Sequence, residues 1–287
     1  MHLLIPSDPL RPRHPDPHWD REASTAATAG MGVAVFDHDA VVAGRLPEAV
    51  RRCPNDGVAV CRSWMFSSTE YAGFAAVLED RGVHLVTGPE AYRRAHEVTG
   101  WYAAVGDLTP PGIITRSFSR AEFAAAFAEL GGPLVLRDHV KSAKHHWAEA
   151  CFVPEGVTLD DAWRIASRLY ELRGSDATGG FVLRRHVALR RPELRTWWVN
   201  GRCVLVGPHP DEGSNAQVES VRDPRLGEFL DRVAASVTKL GLSFATVDVA
   251  SDGDRWWLVE IGDGQVSDLG SAMDPTPLLT AVERLVV

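Results

Sequence analysis

The sequence predicts an α/β protein of two domains, and three features carry that prediction. The first third alternates short apolar strands with helical segments. The remainder alternates amphipathic helices with paired strands. The chain then closes on a hairpin, Phe244 to Gly264, in which each strand holds one carboxylate among apolar neighbours. At 287 residues there is material for two cores of ordinary size.

His2–Ile5 is a short apolar strand ended by Pro6, and Gly32–Phe36, Gly57–Cys61 and Val83–Val86 repeat the pattern. Between the last two, Thr69–Asp80 places Tyr71, Phe74, Ala75 and Leu78 at helical spacing and stops at Gly82. Strands separated by helices imply a mostly parallel sheet. The Pro/His-rich stretch Arg11–His18 reads as a loop, with His14 and His18 as surface residues rather than a metal site. Leu108-Thr-Pro-Pro-Gly112 is dense in breakers and marks a domain boundary. Ser119 with Glu122 spells a capping box for a helix that Gly131-Gly132 ends, and Pro133–Leu136 follows as a strand. After Thr158, the positions Leu159, Ala162, Trp163, Ala166, Leu169 and Tyr170 draw an amphipathic helix closed by Gly174. Phe181–Val187 and Thr196–Val206 read as strands, the second a hairpin turned at Asn200-Gly201. Asp223-Pro224 opens a last long helix with Leu226, Leu230, Val233, Val237 and Leu240 inward and Gly241 at its end.

Composition removes several function classes. No stretch approaches the ~18 apolar residues that span a bilayer, and Met-His-Leu-Leu-Ile-Pro is too short and uncharged for a signal peptide. The cysteines Cys53, Cys61, Cys151 and Cys203 have neither zinc-ligand nor disulfide-frame spacing and read as reduced thiols, which points to the cytoplasm. A net charge of −8 disfavours a nucleic-acid partner, since polyanion binding rests on released counterions.

The chemistry concentrates near the C-terminus. Asp248 lies between Val247 and Val249, and Glu260 between Val259 and Ile261. A carboxylate in an apolar strand is expensive to ionise without compensation, and a hard divalent cation such as magnesium supplies it. With an odd loop or one bulge, the two acids share a sheet face as diagonal neighbours roughly 7–8 Å apart. A two-residue turn sends them to opposite faces. Upstream lie three cation-bearing segments: Arg137 to Lys144, Phe181 to Val187 with Arg184 and Arg185, and Glu193-Leu-Arg195. Arg137 and Lys141 fall on one side if the strand persists, and Glu193 and Arg195 share a face by the period of two. Taken singly, Lys141 and Lys144 read as solvated lysines and Arg195 as an ion-pair partner of Glu193. Basic groups opposite two strand carboxylates are also what a magnesium–triphosphate site requires.

The order of these segments resembles the ATP-grasp superfamily, and more specifically a phage- and actinobacteria-associated clade of it. The resemblance rests on residues 137–147, Gly179–Arg184, Glu193–Arg195 with Val199–Arg202, and Val259–Ser267, and it extends to Arg62–Met65 and Thr87–Tyr92. It implies a Rossmann-like domain over residues 1–110 preceding a two-lobed ATP-grasp domain over residues 111–287. Lys141 would then contact ATP phosphates with Arg137 or Lys144 assisting. Val182, Leu183, Arg184 and Val187 would form the adenine hinge, and Glu193 would line the nucleotide site. Arg195 would face the transferred phosphoryl group, and Asp248 and Glu260 would hold Mg2+. Gly262 stands where many members carry Asn, leaving Asp263 as the nearest further ligand, and Arg185 stands where an acid is frequent.

The implied activity is ADP-forming ligation of a small-molecule or peptide carboxylate to an amine or thiol through an acyl phosphate. Two alternatives stand beside it: a phosphotransferase that stops after phosphoryl transfer, and a non-catalytic nucleotide-binding module. A polynucleotide-end ligase is disfavoured by the net charge.

Overall fold

The computed structural model describes residues 1–212 and 223–285, which form three four-stranded sheets. The first contains β1 (His2–Pro6), β2 (Gly32–Phe36), β3 (Gly57–Cys61) and β4 (Val83–Leu85), all parallel in the order β2-β1-β3-β4. Its connections are α1 (Asp20–Thr28), α2 (His38–Val42), α3 (Leu46–Ala49) and α4 (Ser68–Glu79). Both faces are buried, which is why the strands read as apolar runs. Leu4, Ala59 and Cys61 lie with Tyr71, Phe74 and Leu78 of α4 on one face. Leu3, Ile5 and Val60 lie with Ala23 and Ala26 of α1 on the other.

The reciprocal capping box belongs to α4. Ser67 Oγ accepts from the Glu70 amide while the Glu70 carboxylate accepts from the Ser67 amide. Ser119 does cap its helix, but the Glu122 carboxylate turns away to the Arg116 amide and the Ser117 hydroxyl, so the box predicted there is only half formed.

Next come α5 (Pro89–His96) and α6 (Val98–Val105), then a second sheet. It comprises β5 (Gly112–Ile114), β6 (Leu134–Arg137), β7 (Phe152–Val153) and β8 (Val182–Arg185), antiparallel in the order β5-β8-β6-β7. α7 (Arg120–Leu130) and α8 (Leu159–Arg173) cover one face, where Leu134, Leu136 and Leu183 meet Phe123, Ala162, Ala166 and Leu169. The alternate residues Val135, Arg137 and Arg184 face a cleft.

The third sheet joins β9 (Arg190–Val199), β10 (Arg202–Pro208), β11 (Phe244–Ser251) and β12 (Trp256–Asp263) in the order β10-β9-β11-β12. Asn200 and Gly201 both take positive φ, 47° and 72°, as a two-residue hairpin turn demands. α9 (Pro224–Leu240) packs Leu226, Phe229, Val233 and Val237 on Trp198, Val247, Leu258 and Ile261. Trp101 and Val105 of α6 enter that same core. Trp197 points to the other face, toward Leu3, Ile5 and the residues Leu278 and Leu279 of α10 (Thr276–Val282), so the paired tryptophans are packing residues of two different cores.

One buried, ion-paired arginine ties the first sheet to the third. Arg62, just past β3, donates from Nε and NH2 to the Glu22 carboxylate at 2.6 and 2.9 Å and also to the Gly264 carbonyl. Its guanidinium lies 5.0 Å from the rings of both Trp19 and Trp197. Among the described residues no helix is long and apolar enough to cross a membrane. Glu22→Gln strips the buried guanidinium of its counter-charge, and urea unfolding should show a loss of roughly 3 kcal/mol. A loss below about 1 kcal/mol would mean that the carbonyl and the two indoles suffice.

Candidate active site

The third sheet sets a row of charged side chains across its width. Gly207 pairs with Arg195, Arg195 with Asp248, and Asp248 with Glu260. The last pairing depends on a bulge. Ser251, Ala250 and Val249 pair with Trp256, Trp257 and Leu258, and the register then shifts by one so that Asp248 meets Glu260. That single extra residue turns Glu260 to the face of Asp248. The acids are therefore direct opposites rather than the diagonal neighbours the sequence suggests.

Asp248 is buried and its carboxylate is gripped from both sides by Arg195, with Nε to Oδ1 at 2.8 Å and NH2 to Oδ2 at 2.9 Å. The same NH2 lies 2.7 Å from His209 Nε2, and NH1 donates to the Asp268 carbonyl at 3.3 Å. Glu260 takes its partner from the other sheet: buried Arg137 donates to Oε1 at 2.8 Å. Burial alone would raise the Glu260 carboxyl, but the charge and hydrogen bond of Arg137 hold it below its usual range. Arg184 donates across the cleft to the Val259 carbonyl at 2.6 Å, and burial with the neighbouring Arg137 brings its guanidinium down to about 10. Glu193 is pushed up to about 8 by burial and then by the charge of Asp248. Burial also lowers His209, which holds its imidazole neutral at pH 7.

Between the two antiparallel sheets lies a cavity of about 770 Å³, within the range of small-ligand pockets. Val135, Val187, Leu189, Ala250, Trp257 and Val259 supply its apolar walls. Arg137, Lys144, Arg184, Arg185, Glu193, His209, Asp211 and Glu260 supply its polar ones. Lys144 is ion-paired with Asp211 across the mouth.

The structure thus brings Arg137, Lys144, Arg184, Val187, Glu193 and Glu260 to one cavity, with Arg195 and Asp248 continuing the row behind Glu260 and His209. Four predicted site residues lie elsewhere. Lys141 is exposed in the loop after β6, outside the cavity lining. Its backbone is held by buried Asp138, whose Oδ1 accepts from the Val140 and Lys141 amides. Val182 and Leu183 are wholly buried. β8 runs between β5 and β6, so their backbone groups are taken by the ladders, and Leu183 points under α7 and α8. The cavity instead meets Arg184 and Arg185 at the end of the strand and His186, Val187 and Leu189 just after it. Asp263 lies on the far face of β12 from Glu260, facing the first domain. Its Oδ1 accepts from the Gln265 amide at 2.9 Å, while buried Oδ2 has no partner among the described residues. It cannot join Glu260 on one ion, because three further residues beyond the bulge turn its side chain to the opposite face.

Two residues escaped the sequence reading. Asp138 joins the strand to its loop and also binds Arg173 at 2.8 Å; an acid directly after an apolar strand was the available signal. His209 lies just past β10, and its amide donates to the Glu193 carbonyl at 2.8 Å. That contact between strand partners is invisible without the register.

A parallel-sheet domain followed by two antiparallel sheets that close on a charged cleft is the architecture of an ATP-grasp protein. A family model of the ATP-grasp domain, the third family of its clade, matches residues 129–282, more than half of the chain, and the protein belongs to that family. No curated protein matches the sequence. Among solved structures, a RimK-domain ATP-grasp protein from Sphaerobacter thermophilus is 14% identical with a TM-score of 0.64, over 100% of this chain and 99% of that one. D-cycloserine synthetase DcsG is 17% identical with a TM-score of 0.65, over 100% of both chains. The ATP-grasp ligase PsnB, solved with a minimal precursor, Mg and ADP, is 13% identical with a TM-score of 0.59, over 98% of this chain and 97% of that one. At such identities the likeness is one of fold.

The donor set fits magnesium: two carboxylates, directly opposed on adjacent strands, offer hard oxygens at the edge of the cavity. Position 262 has no room for a further ligand, since a Cβ there would meet Thr246 Oγ1 at 2.8 Å.

Asp263 predicts a pH dependence of stability. Burial raises its carboxyl from 3.8 to about 7. The folded state therefore binds a proton that the unfolded chain has released between those values. Its stabilising contribution is complete below about pH 4 and is lost as pH rises through about 7. Asp263→Asn, which keeps an acceptor for Gln265, should flatten that fall in urea titrations from pH 4.5 to 8; an unchanged slope would assign it to another group.

Proposed function

We propose that the protein is a magnesium-dependent, ADP-forming ligase that joins a carboxylate to an amine or thiol through an acyl phosphate. The observation that carries this reading is the row Arg195–Asp248–Glu260 on one sheet, faced across a single cavity by Arg137 and Arg184 of the other and by Lys144 of the turn that follows β6. Cations for a triphosphate and carboxylates for its metal stand on opposite walls, and the family supplies the nucleotide.

The electrostatic problem is to bring a carboxylate anion against the γ-phosphate. Adenine lies against Val135, Val259 and the segment from His186 to Leu189, which line the cavity. Arg137 and Lys144, which line the cavity, take the phosphate oxygens. Asp248 and Glu260 would hold magnesium, which would supply further neutralisation of phosphate charge. Arg195 leaves Asp248 for the transferring phosphoryl group. A substrate carboxylate oxygen bonds to γ-phosphorus as the bond to the β-phosphate oxygen breaks and ADP departs. The amine or thiol then adds to the acyl carbon, inorganic phosphate leaves with the C–O bond electrons, and the nucleophile gives up its proton. Fixed cations aimed at charge that develops in transit are the main source of rate in such a site.

Residues 1–110 provide the acceptor side of the cleft and residues 111–287 the nucleotide side. A small molecule or peptide is the acceptor class, in keeping with the precursor bound by PsnB, and the net charge of −8 disfavours nucleic acid. Four free cysteines, three of them buried, agree with a cytoplasmic site.

Calorimetric titration with ATP tests the nucleotide site without knowledge of the acceptor. Wild-type protein should bind ATP only with magnesium, and Glu260→Ala should lose that dependence. Once a substrate pair is found by ADP release, Arg195→Ala should lower turnover by on the order of 10²-fold. Wild-type protein that ignores ATP with and without magnesium would sink the reading.

A further inference from the structure

We propose that Glu193, Asp248 and His209 form a second divalent-cation site, beside the Asp248–Glu260 pair and covered by the Arg195 guanidinium until that group moves to a phosphate. The inference rests on the function proposed above only for the event that moves Arg195. Among the described residues, this is the one place where ligand atoms of three His, Cys, Asp or Glu side chains come within 4.8 Å of one another.

The geometry is nearly that of a coordination shell. His209 Nε2 and Asp248 Oδ2 are 3.5 Å apart, close to the spacing of two ligands on an ion with bonds of ~2.1 Å. Ligands on such an ion can be at most about 4.2 Å apart, so the Glu193 carboxylate, within 4.8 Å of the other two ligand atoms, needs at most a small inward shift. It can do so, because among the described residues its oxygens hold neither a hydrogen bond nor an ion pair; only its backbone is engaged.

A cation already sits there. Arg195 NH2 lies 2.7 Å from His209 Nε2 and 2.9 Å from Asp248 Oδ2, so a positively charged nitrogen fills the position an ion would take. The imidazole presents Nε2 to that position. Nε2 faces a pure donor while Nδ1 faces the Asp211 amide at 3.2 Å, and a neutral ring has only one acceptor nitrogen. An ion on Nε2 would take the place of that donor on the one acceptor nitrogen and leave the proton on Nδ1, 3.8 Å from Asp211 Oδ2.

One imidazole nitrogen with two carboxylates selects a borderline ion such as Mn2+, Co2+ or Zn2+ over magnesium. The site would therefore differ in ion preference from its neighbour although the two share Asp248.

Co2+ is the probe, since its visible absorption reports a nitrogen ligand, and the titrations are made on the full chain without nucleotide. Arg195→Ala should bind Co2+ at least ~10-fold more tightly than wild type, because the competing cation is gone. Adding His209→Ala to that variant should abolish the tight site and its absorption band, whereas adding Glu260→Gln should leave both. Arg195→Gln serves the same purpose if Arg195→Ala does not fold. Equal Co2+ affinity in wild type and both Arg195 variants overturns the proposal. So does binding that survives His209→Ala, or binding lost with Glu260→Gln, which places the ion at the neighbouring pair. ATP titration with magnesium on the wild type reads the nucleotide site separately, so the two ideas can fail independently.

Discussion

The bidentate bond between Arg195 and Asp248 is the interaction around which the cleft is arranged. Asp248 occupies a strand whose neighbours Val247 and Val249 are wholly buried, and an isolated carboxylate there would lose far more hydration than the strand could offset. Its register partner on β9 is an arginine, so the charge is met within the sheet itself. With that pair in place, the bulge in β12 brings a second acid into line, and Glu260 must find its own cation. It finds Arg137 on the facing sheet.

The two walls of the cleft are consequently held by each other's charges. Arg137 reaches Glu260, Arg184 reaches the Val259 carbonyl, and Lys144 reaches Asp211. These contacts have unequal strength. Arg137 is buried, so its bond acts at low effective dielectric, whereas Lys144 and Asp211 are about half exposed and contribute little. The result is a site whose cations and anions neutralise one another, which is the arrangement that the exchange of partners proposed above requires. The neutral His209 and the carboxyl of Glu193, raised by burial and by the charge of Asp248, stand beside the Arg195–Asp248 pair.

The fold was legible wherever a local rule decided it. The parallel sheet followed from alternation of apolar strands with helices, α9 from its inward stripe between Asp223 and Gly241, and the β9–β10 hairpin from Asn200-Gly201. The site was legible as residue types in order, because ligands for phosphate and metal are restricted in kind. Failures occurred where sequence-local periodicity met a non-local neighbour. Leu183 suits an adenine wall by composition, yet β8 lies between two strands and turns it beneath α7 and α8. Glu122 fits a capping box by spacing, yet Arg116 and Ser117 compete for its oxygens.

By itself, the sequence determined which strands and helices form and which charged groups are available, since periodicity, capping and side-chain chemistry act within a few residues. Only the tertiary structure decided which of those groups meet. A one-residue bulge placed Glu260 opposite Asp248, strand parity sent Asp263 to the other face, and pairing of β9 with β10 delivered His209 beside Arg195. The physical reason is that side chains alternate along a strand. A single-residue shift in register therefore reverses a side chain's face, and register is set by partners far away in the chain.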